Sequence, residues 1–372
     1  MFKIKLLKRI KYFPSLHELI VSRYSGLTDI RLLLAFSVIL GHCRPLLEGN
    51  GSRNLGVGSF DFASMGVRGF MFLSGMLIIG SAKKHNLKRF LLRRIARIYP
   101  AFIFCLLTTI LVILPIFGFA NGINWRITWL DNQGSFGFLL NNMFLAIRQY
   151  QVIPYTDLFI YKGAVNGSLW SLWPEFCGYI IIYFIASISF TRAFTWFSAC
   201  VILTTINLSP RLHSVFIDLV GKLPVYISSS QSSIWMGTYL CVGVVYAYCA
   251  KRIKLSPLFA ILSLAMVIIC SVFFPEPGAA QYLVIEITYL LAFPYLILCI
   301  CWILPAFIKL SFDCSYGVYV YGFTVQQLIV YYLGSNLNYA LLFILTCMLT
   351  IPISMASWFL IEKPCLKWVS TK

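Results

Sequence analysis

Apolar residues in this chain come in long runs separated by short polar clusters. The runs fall near 28–46, 63–81, 98–117, 168–190, 194–210, 232–250, 257–274, 283–304, 315–333 and 339–361. Each spans roughly 17–24 residues, the length a helix needs to cross a hydrocarbon core of about 30 Å. The pattern predicts an all-α, polytopic integral membrane protein with about ten transmembrane helices. One connection, 118–167, is long. It carries a short apolar stretch, Phe136 to Ala146, too short to cross and suited to a re-entrant or interfacial position. Its aromatic residues (Trp125, Trp129, Tyr150, Tyr155, Tyr161) fit an interface belt.

The polar clusters set an orientation. Lys3, Lys5, Lys8, Arg9, Lys11 and Arg23 precede the first run, and seven Lys or Arg lie between Lys83 and Arg97. Arg192, then Lys251, Arg252 and Lys254, then Lys309, and finally Lys363, Lys367 and Lys372 follow at every second connection. With ten spans all of these fall on one side. The positive-inside rule makes that side cytoplasmic and puts both termini there. The expected division is a basic cytoplasmic segment 1–27, a membrane domain 28–364 and a short cytoplasmic tail 365–372. The basic first residues lack a short apolar run ending in a small-residue cleavage site, so no removable signal peptide is expected.

Composition agrees: of 372 residues 60% are hydrophobic and 11% charged. The net charge of +18 suggests nucleic acid only until its distribution is considered. Confined to short connections, it points to anionic lipid or an anionic cytoplasmic ligand. The 12 cysteines have no metal-site or disulfide spacing and read as small buried hydrophobes, and no metal is expected. No internal repeat is visible, which weighs against inverted-repeat transporters.

Candidate chemistry sits in four places. Arg31 and His42 occupy the first run, almost three helical turns apart, so they share one face about 16 Å apart along the axis. Ionisable groups in a span are expensive and point to function; the alternative is that Arg31 marks the membrane edge and His42 is a satisfied polar residue. In the second run, Ser74 and Gly75 permit close approach of helices or ligand, with plain helix packing the competing reading. Arg89, Arg93 and Arg97 recur every four residues, with Arg94 three before Arg97, so their guanidinium groups suit phosphates. Topology signalling with lipid headgroup contact is the competing reading. Entering the fourth run, Asn166 to Phe176 includes Trp170, Ser171 and Glu175, where a carboxylate behind Pro174 is favoured by the helix N-terminus. Glu175 enters at the level of His42, and a carboxylate near an imidazole orients it and raises its basicity. Glu286, in the eighth run, is a second buried-carboxylate candidate.

These motifs, in this order, resemble the acyltransferase 3 family of bacterial membrane acyltransferases. The resemblance covers essentially the whole chain. It rests on Arg31-x10-His42, Gly66 to Gly75, Arg93-Arg94-x-x-Arg97 through Pro100, Ser168 to Glu175, Ser315-Tyr316-Gly317-x-Tyr319 and Glu362-Lys363-Pro364. It implies about ten helices and transfer of an acyl group, usually acetyl from acetyl-CoA, to a hydroxyl of a glycan or lipid-linked sugar at the bacterial inner membrane. It also implies a catalytic role for the histidine matching His42, and roles in donor handling or activity for the arginines matching Arg31, Arg94 and Arg97. Two departures stand out: the His-x-Pro common after the Ser-Tyr-Gly motif is Tyr321-Gly322-Phe323-Thr324 here, and the periplasmic domain some members carry does not follow the last motif.

The expected mechanism places Arg94, Arg97 and Arg93 on the coenzyme A phosphates, with Arg31 adding a contact. His42 either deprotonates the acceptor hydroxyl or accepts the acyl group itself. Glu175 orients His42, and Ser74, Trp170 and Ser171 contact substrate. The rival reading is a proton-coupled transporter or flippase of a lipid-linked sugar, using the same arginines and histidine for binding and coupling.

Overall fold

The computed structural model describes residues 13–21, 26–131, 133–188, 192–221, 231–275, 279–304 and 312–371. The basic residues 3–11, Arg23, Glu276, Lys309 and Lys372 lie outside them. Among the described residues the regular structure is helical apart from one small hairpin, β1 (Gly56–Val57) with β2 (Phe60–Asp61), and an isolated bridge between Ser15 and Lys254. A helix sits at every predicted span. In chain order the helices are α1 (Leu16–Val21), α2 (Leu27–Glu48), α3 (Phe62–Lys84), α4 (Leu87–Thr108), α5 (Leu114–Ala120), α6 (Trp125–Trp129), α7 (Ser135–Asn142) and α8 (Leu172–Ser187). They continue with α9 (Ala193–Leu208), α10 (Pro210–Gly221), α11 (Gln231–Tyr248), α12 (Pro257–Phe273), α13 (Ala279–Ile303), α14 (Ser315–Leu333), α15 (Tyr339–Ser357) and α16 (Lys363–Thr371).

Among the described residues six helical stretches are long and apolar enough to cross a bilayer, and α9 with α10 forms a further pair bent by 107°. The protein is therefore an all-α, polytopic membrane protein. Two stretches exceed a simple span because a π-turn joins two helices: Thr109–Ile113 links α4 to α5, and Trp358–Glu362 links α15 to α16. The predicted short stretch in the long connection is α7, eight residues long. Side chains on α12 such as Phe259, Leu262, Ile269 and Phe273 are exposed, as a lipid-facing helix requires.

The chain divides into two compact units. The first comprises Met1–Leu34, Gly56–Leu87 and Pro174–Asp313. Its centre is the pair α3 and α11, which approach closely because both carry glycine at the crossing. A Cβ on Gly75 would lie 2.1 Å from the Leu240 carbonyl oxygen, and one on Gly243 would lie 2.1 Å from that of Phe72. The hairpin ahead of α3 packs on the end of α12. Gly58, at φ +57°, leaves room for the Ser271 carbonyl, and Ser59 Oγ donates to the Cys270 carbonyl. Asp61 then caps α3, accepting from the amides of Ala63 and Ser64. The second unit comprises Ala35–Leu55, Lys88–Trp173 and Cys314–Lys372, with α14 and α15 packed side by side.

Candidate active site

His42 belongs to the second unit, and a proline sets its surroundings. Pro45 lies inside α2 and has no N–H, so the Gly41 carbonyl loses its helical donor. The Leu55 amide replaces it at 2.7 Å. Residues 49–55 are thereby folded back on the turn that carries His42, with Gly49 and Gly51 taking the positive φ angles of the reversal. The imidazole is half-buried. The ring of Phe323 meets it edge-on, with centroids 5.1 Å apart. Three residues along α14, the fully buried Gln326 donates from Nε2 to the Ile39 carbonyl at 3.0 Å. Gly322 permits this approach, since a Cβ there would meet Ile39 Cγ1 at 2.8 Å. One face of α14 thus fixes the height and rotation of the α2 turn that presents the imidazole.

The same helix holds the start of the fourth span. Asn166 accepts from the Ser168 amide and donates to the Val320 carbonyl at 2.7 Å. Tyr319 donates its hydroxyl proton to the Ser168 carbonyl at 2.7 Å, so Ser171 Oγ, 2.5 Å from that hydroxyl, donates to it in turn. Ser171 is buried and committed to this chain of bonds, whereas Trp170 is partly exposed. The Ser-Tyr-Gly-x-Tyr and Ser-Leu-Trp-Ser motifs, remote in sequence, are two halves of one clasp.

The arginine row lies on α4, also in the second unit. Arg89 is exposed, and Arg93 and Arg94 are half-buried. Arg97 has an internal counter-ion. Its guanidinium lies 3.7 Å from Glu362, which is fully buried, and 5.7 Å from the centre of the Trp358 ring. Ser357 Oγ donates to the other carboxylate oxygen of Glu362 at 3.3 Å. Arg97, expected with Arg94 and Arg93 on the donor phosphates, is anchored by the Glu362-Lys363-Pro364 motif. The π-turn of residues 358–362 brings Glu362 to it.

The first unit holds the other candidates. Arg31 pairs with Asp313 at 3.4 Å, both partly buried. Ser74 donates to Glu175 at 2.8 Å, and the Tyr179 hydroxyl bonds both the Glu175 carboxylate and, at 3.1 Å, Ser74 Oγ. Glu175, expected to orient His42, is bonded to Ser74 and Tyr179, and this carboxylate joins α8 to α3.

Three functional-looking residues were not singled out from sequence. Arg68 is buried in α3, 2.6 Å from Glu286, with its guanidinium 5.1 Å and 5.5 Å from the ring centres of Trp235 and Tyr239. A charged residue in the middle of a predicted span was the signal available for it. Asp313 and Tyr179 carried no local signal, because their importance comes from residues far away in the chain.

The fold and these sites define a polytopic membrane protein with an imidazole and a row of arginines in one compact unit. Residues 25–359 match the acyltransferase 3 family, an acyltransferase domain, and the chain belongs to that family. An O-acetyl transferase of Shigella phage Sf6 is 26% identical over 356 residues, covering 92% of this chain and 96% of that protein. No solved structure matches the chain.

Proposed function

We propose that this acyltransferase moves an acetyl group from cytoplasmic acetyl-CoA to a hydroxyl of a cell-envelope glycan or lipid-linked sugar, as a multi-pass protein of the bacterial inner membrane. The observation that carries the reading is the second unit, in which His42, held by Phe323 and Gln326 of α14, shares one compact body with the arginine row of α4. Arg93 and Arg94, with Arg97 braced by Glu362, supply the charge that suits the donor's phosphates. His42 is the general base. It takes the proton of the acceptor hydroxyl as that oxygen bonds the acyl carbon, and the thiolate of coenzyme A leaves. Trp170 offers the acceptor an apolar face. The Ser171–Tyr319 bond holds α14 to the start of the fourth span within the second unit, and the Ser74–Glu175–Tyr179 bonds hold α8 to α3 within the first.

The name of the phage relative supports acetyl as the group transferred. Inside-out vesicles carrying the protein, supplied with acetyl-labelled acetyl-CoA, are expected to accumulate base-labile label in glycan. Vesicles that instead move a lipid-linked sugar across the membrane without consuming thioester would establish the transporter reading in its place.

A further inference from the structure

The long connection of the second unit forms an open cavity of about 460 Å³, within the range of about 300–1,000 Å³ common for small-molecule sites. Its walls are polar: Gln133, Asn141, Arg148, Gln149, Tyr150 and Gln151. The floor is built rather than incidental. Asn142, fully buried, donates to the Gln149 carbonyl at 2.7 Å and accepts from the amides of Arg148 and Gln149. Gln149 uses both N–H groups of its side chain on the Gly134 and Gln151 carbonyls and accepts from Asn141. The loop is held firmly enough to keep the buried Leu145 at φ +69°, a backbone conformation costly for a residue with a branched side chain.

On this fixed floor stand groups with capacity to spare. Asn141 gives one N–H to Gln149, and Gln151 gives one N–H to the Lys162 carbonyl. Among the bonds between described residues, that leaves each amide an oxygen and a second N–H. Gln133 adds another amide, and Arg148 and Tyr150 complete the wall. Such a wall alternates donors with acceptors, as a sugar's hydroxyl groups do, and the tyrosine offers an apolar face for the C–H side of a pyranose. Among the described residues no carboxylate or lysine lines the cavity and Arg148 is its one cation, too little charge for a polyphosphate. Polar surface outweighs apolar surface on the wall, which does not suit an acyl chain.

We infer that this cavity is the saccharide-binding subsite for the acceptor glycan, recognising a neutral, vicinally hydroxylated sugar through Asn141, Gln151, Gln133 and Tyr150. The inference rests on the acetyl-transfer reading for the role of its ligand but not for the existence of the site. The test uses the full chain in nanodiscs and, as probe, lipid-free envelope polysaccharide fragments stripped of esters with base. Saturation-transfer NMR is expected to show magnetisation passing from wild-type protein to sugar protons. The double variant Asn141→Ala/Gln151→Ala, checked for intact secondary structure and a monodisperse profile, is expected to weaken binding at least tenfold. In the transfer assay the same variant is expected to raise the KM for glycan by a similar factor and leave that for acetyl-CoA unchanged. Equal binding by wild type and variant, or no binding to either, would overturn the assignment. Sugar binding that depends on these residues, without any acetyl transfer by wild type, would support the subsite and sink the acetyl-transfer reading instead.

Discussion

Arg68 shows how much a single membrane residue commits to its partners. It is almost wholly buried, its carboxylate partner Glu286 is buried too, and two aromatic faces pack beside its guanidinium. Removing one member of such a pair leaves an uncompensated charge and costs about 3–5 kcal/mol, whereas replacing both by apolar residues costs far less. Glu286→Ala is therefore expected to lower the thermal unfolding midpoint in detergent sharply. The double change Arg68→Met/Glu286→Leu is expected to recover most of it; a double variant as unstable as the single would contradict this account of the pair. Arg97 and Glu362 follow the same logic, and that pair also explains why an acidic residue after the last span belongs to the motif set.

At the scale of elements, glycine positions separate contact from open space. Gly75 sits where any Cβ strikes the α11 backbone, while Gly80, on the same helix, has nothing within 4 Å. Gly75→Ala is expected to cost about 1–3 kcal/mol through forced separation of α3 and α11. Gly80→Ala is expected to be neutral or to gain about 0.5–1 kcal/mol. Fluorescence-detected size exclusion after graded heating compares the two; equal loss would show that the α3–α11 crossing does not depend on Gly75. The helices themselves were legible, because apolar runs of membrane length leave little choice of structure. So was the small-residue face of the second span. The clasp between Ser171 and Tyr319 was not: serine and tyrosine hydroxyls have no periodic signature, and their partners lie 148 residues apart. Glu175 was visible as a carboxylate at a helix start, yet sequence could not say that Tyr179, one turn further on, and Ser74 would hold it.

For the whole molecule, each of the ten apolar runs holds a helix, but helix length and composition alone mark only six stretches as sufficient spans among the described residues. The difference lies in the bent pair α9–α10, in the short apolar helices α11 and α12, and in α14, whose apolar run is interrupted by the buried Gln326 and Gln327. Ten crossings are the expectation from the alternation of basic connections, and a topology experiment tests it. Reporter fusions ending near residues 86 and 253 are expected to be active in the cytoplasm, and fusions ending near 54 and 148 active outside it. A fusion near 148 that reports the cytoplasm would break the ten-span count. The polar cavity of the long connection would then face the donor's side of the membrane. The family motifs gave the chemistry in outline. The saccharide cavity was out of reach of the sequence, because scattered Gln and Asn in a loop become a wall only once Asn142 has folded the loop around itself.

The central claim is that His42 performs the proton transfer at the reacting hydroxyl. The direct measurement is the rate of acetyl transfer from labelled acetyl-CoA to glycan by wild type, His42→Ala and His42→Gln, each at matched amounts of correctly inserted protein. Loss of a general base is expected to lower kcat by about 10²–10⁴-fold in both variants, with the KM for acetyl-CoA little changed. Wild-type turnover in either variant would remove His42 from the chemistry and leave it as a packing partner of Phe323.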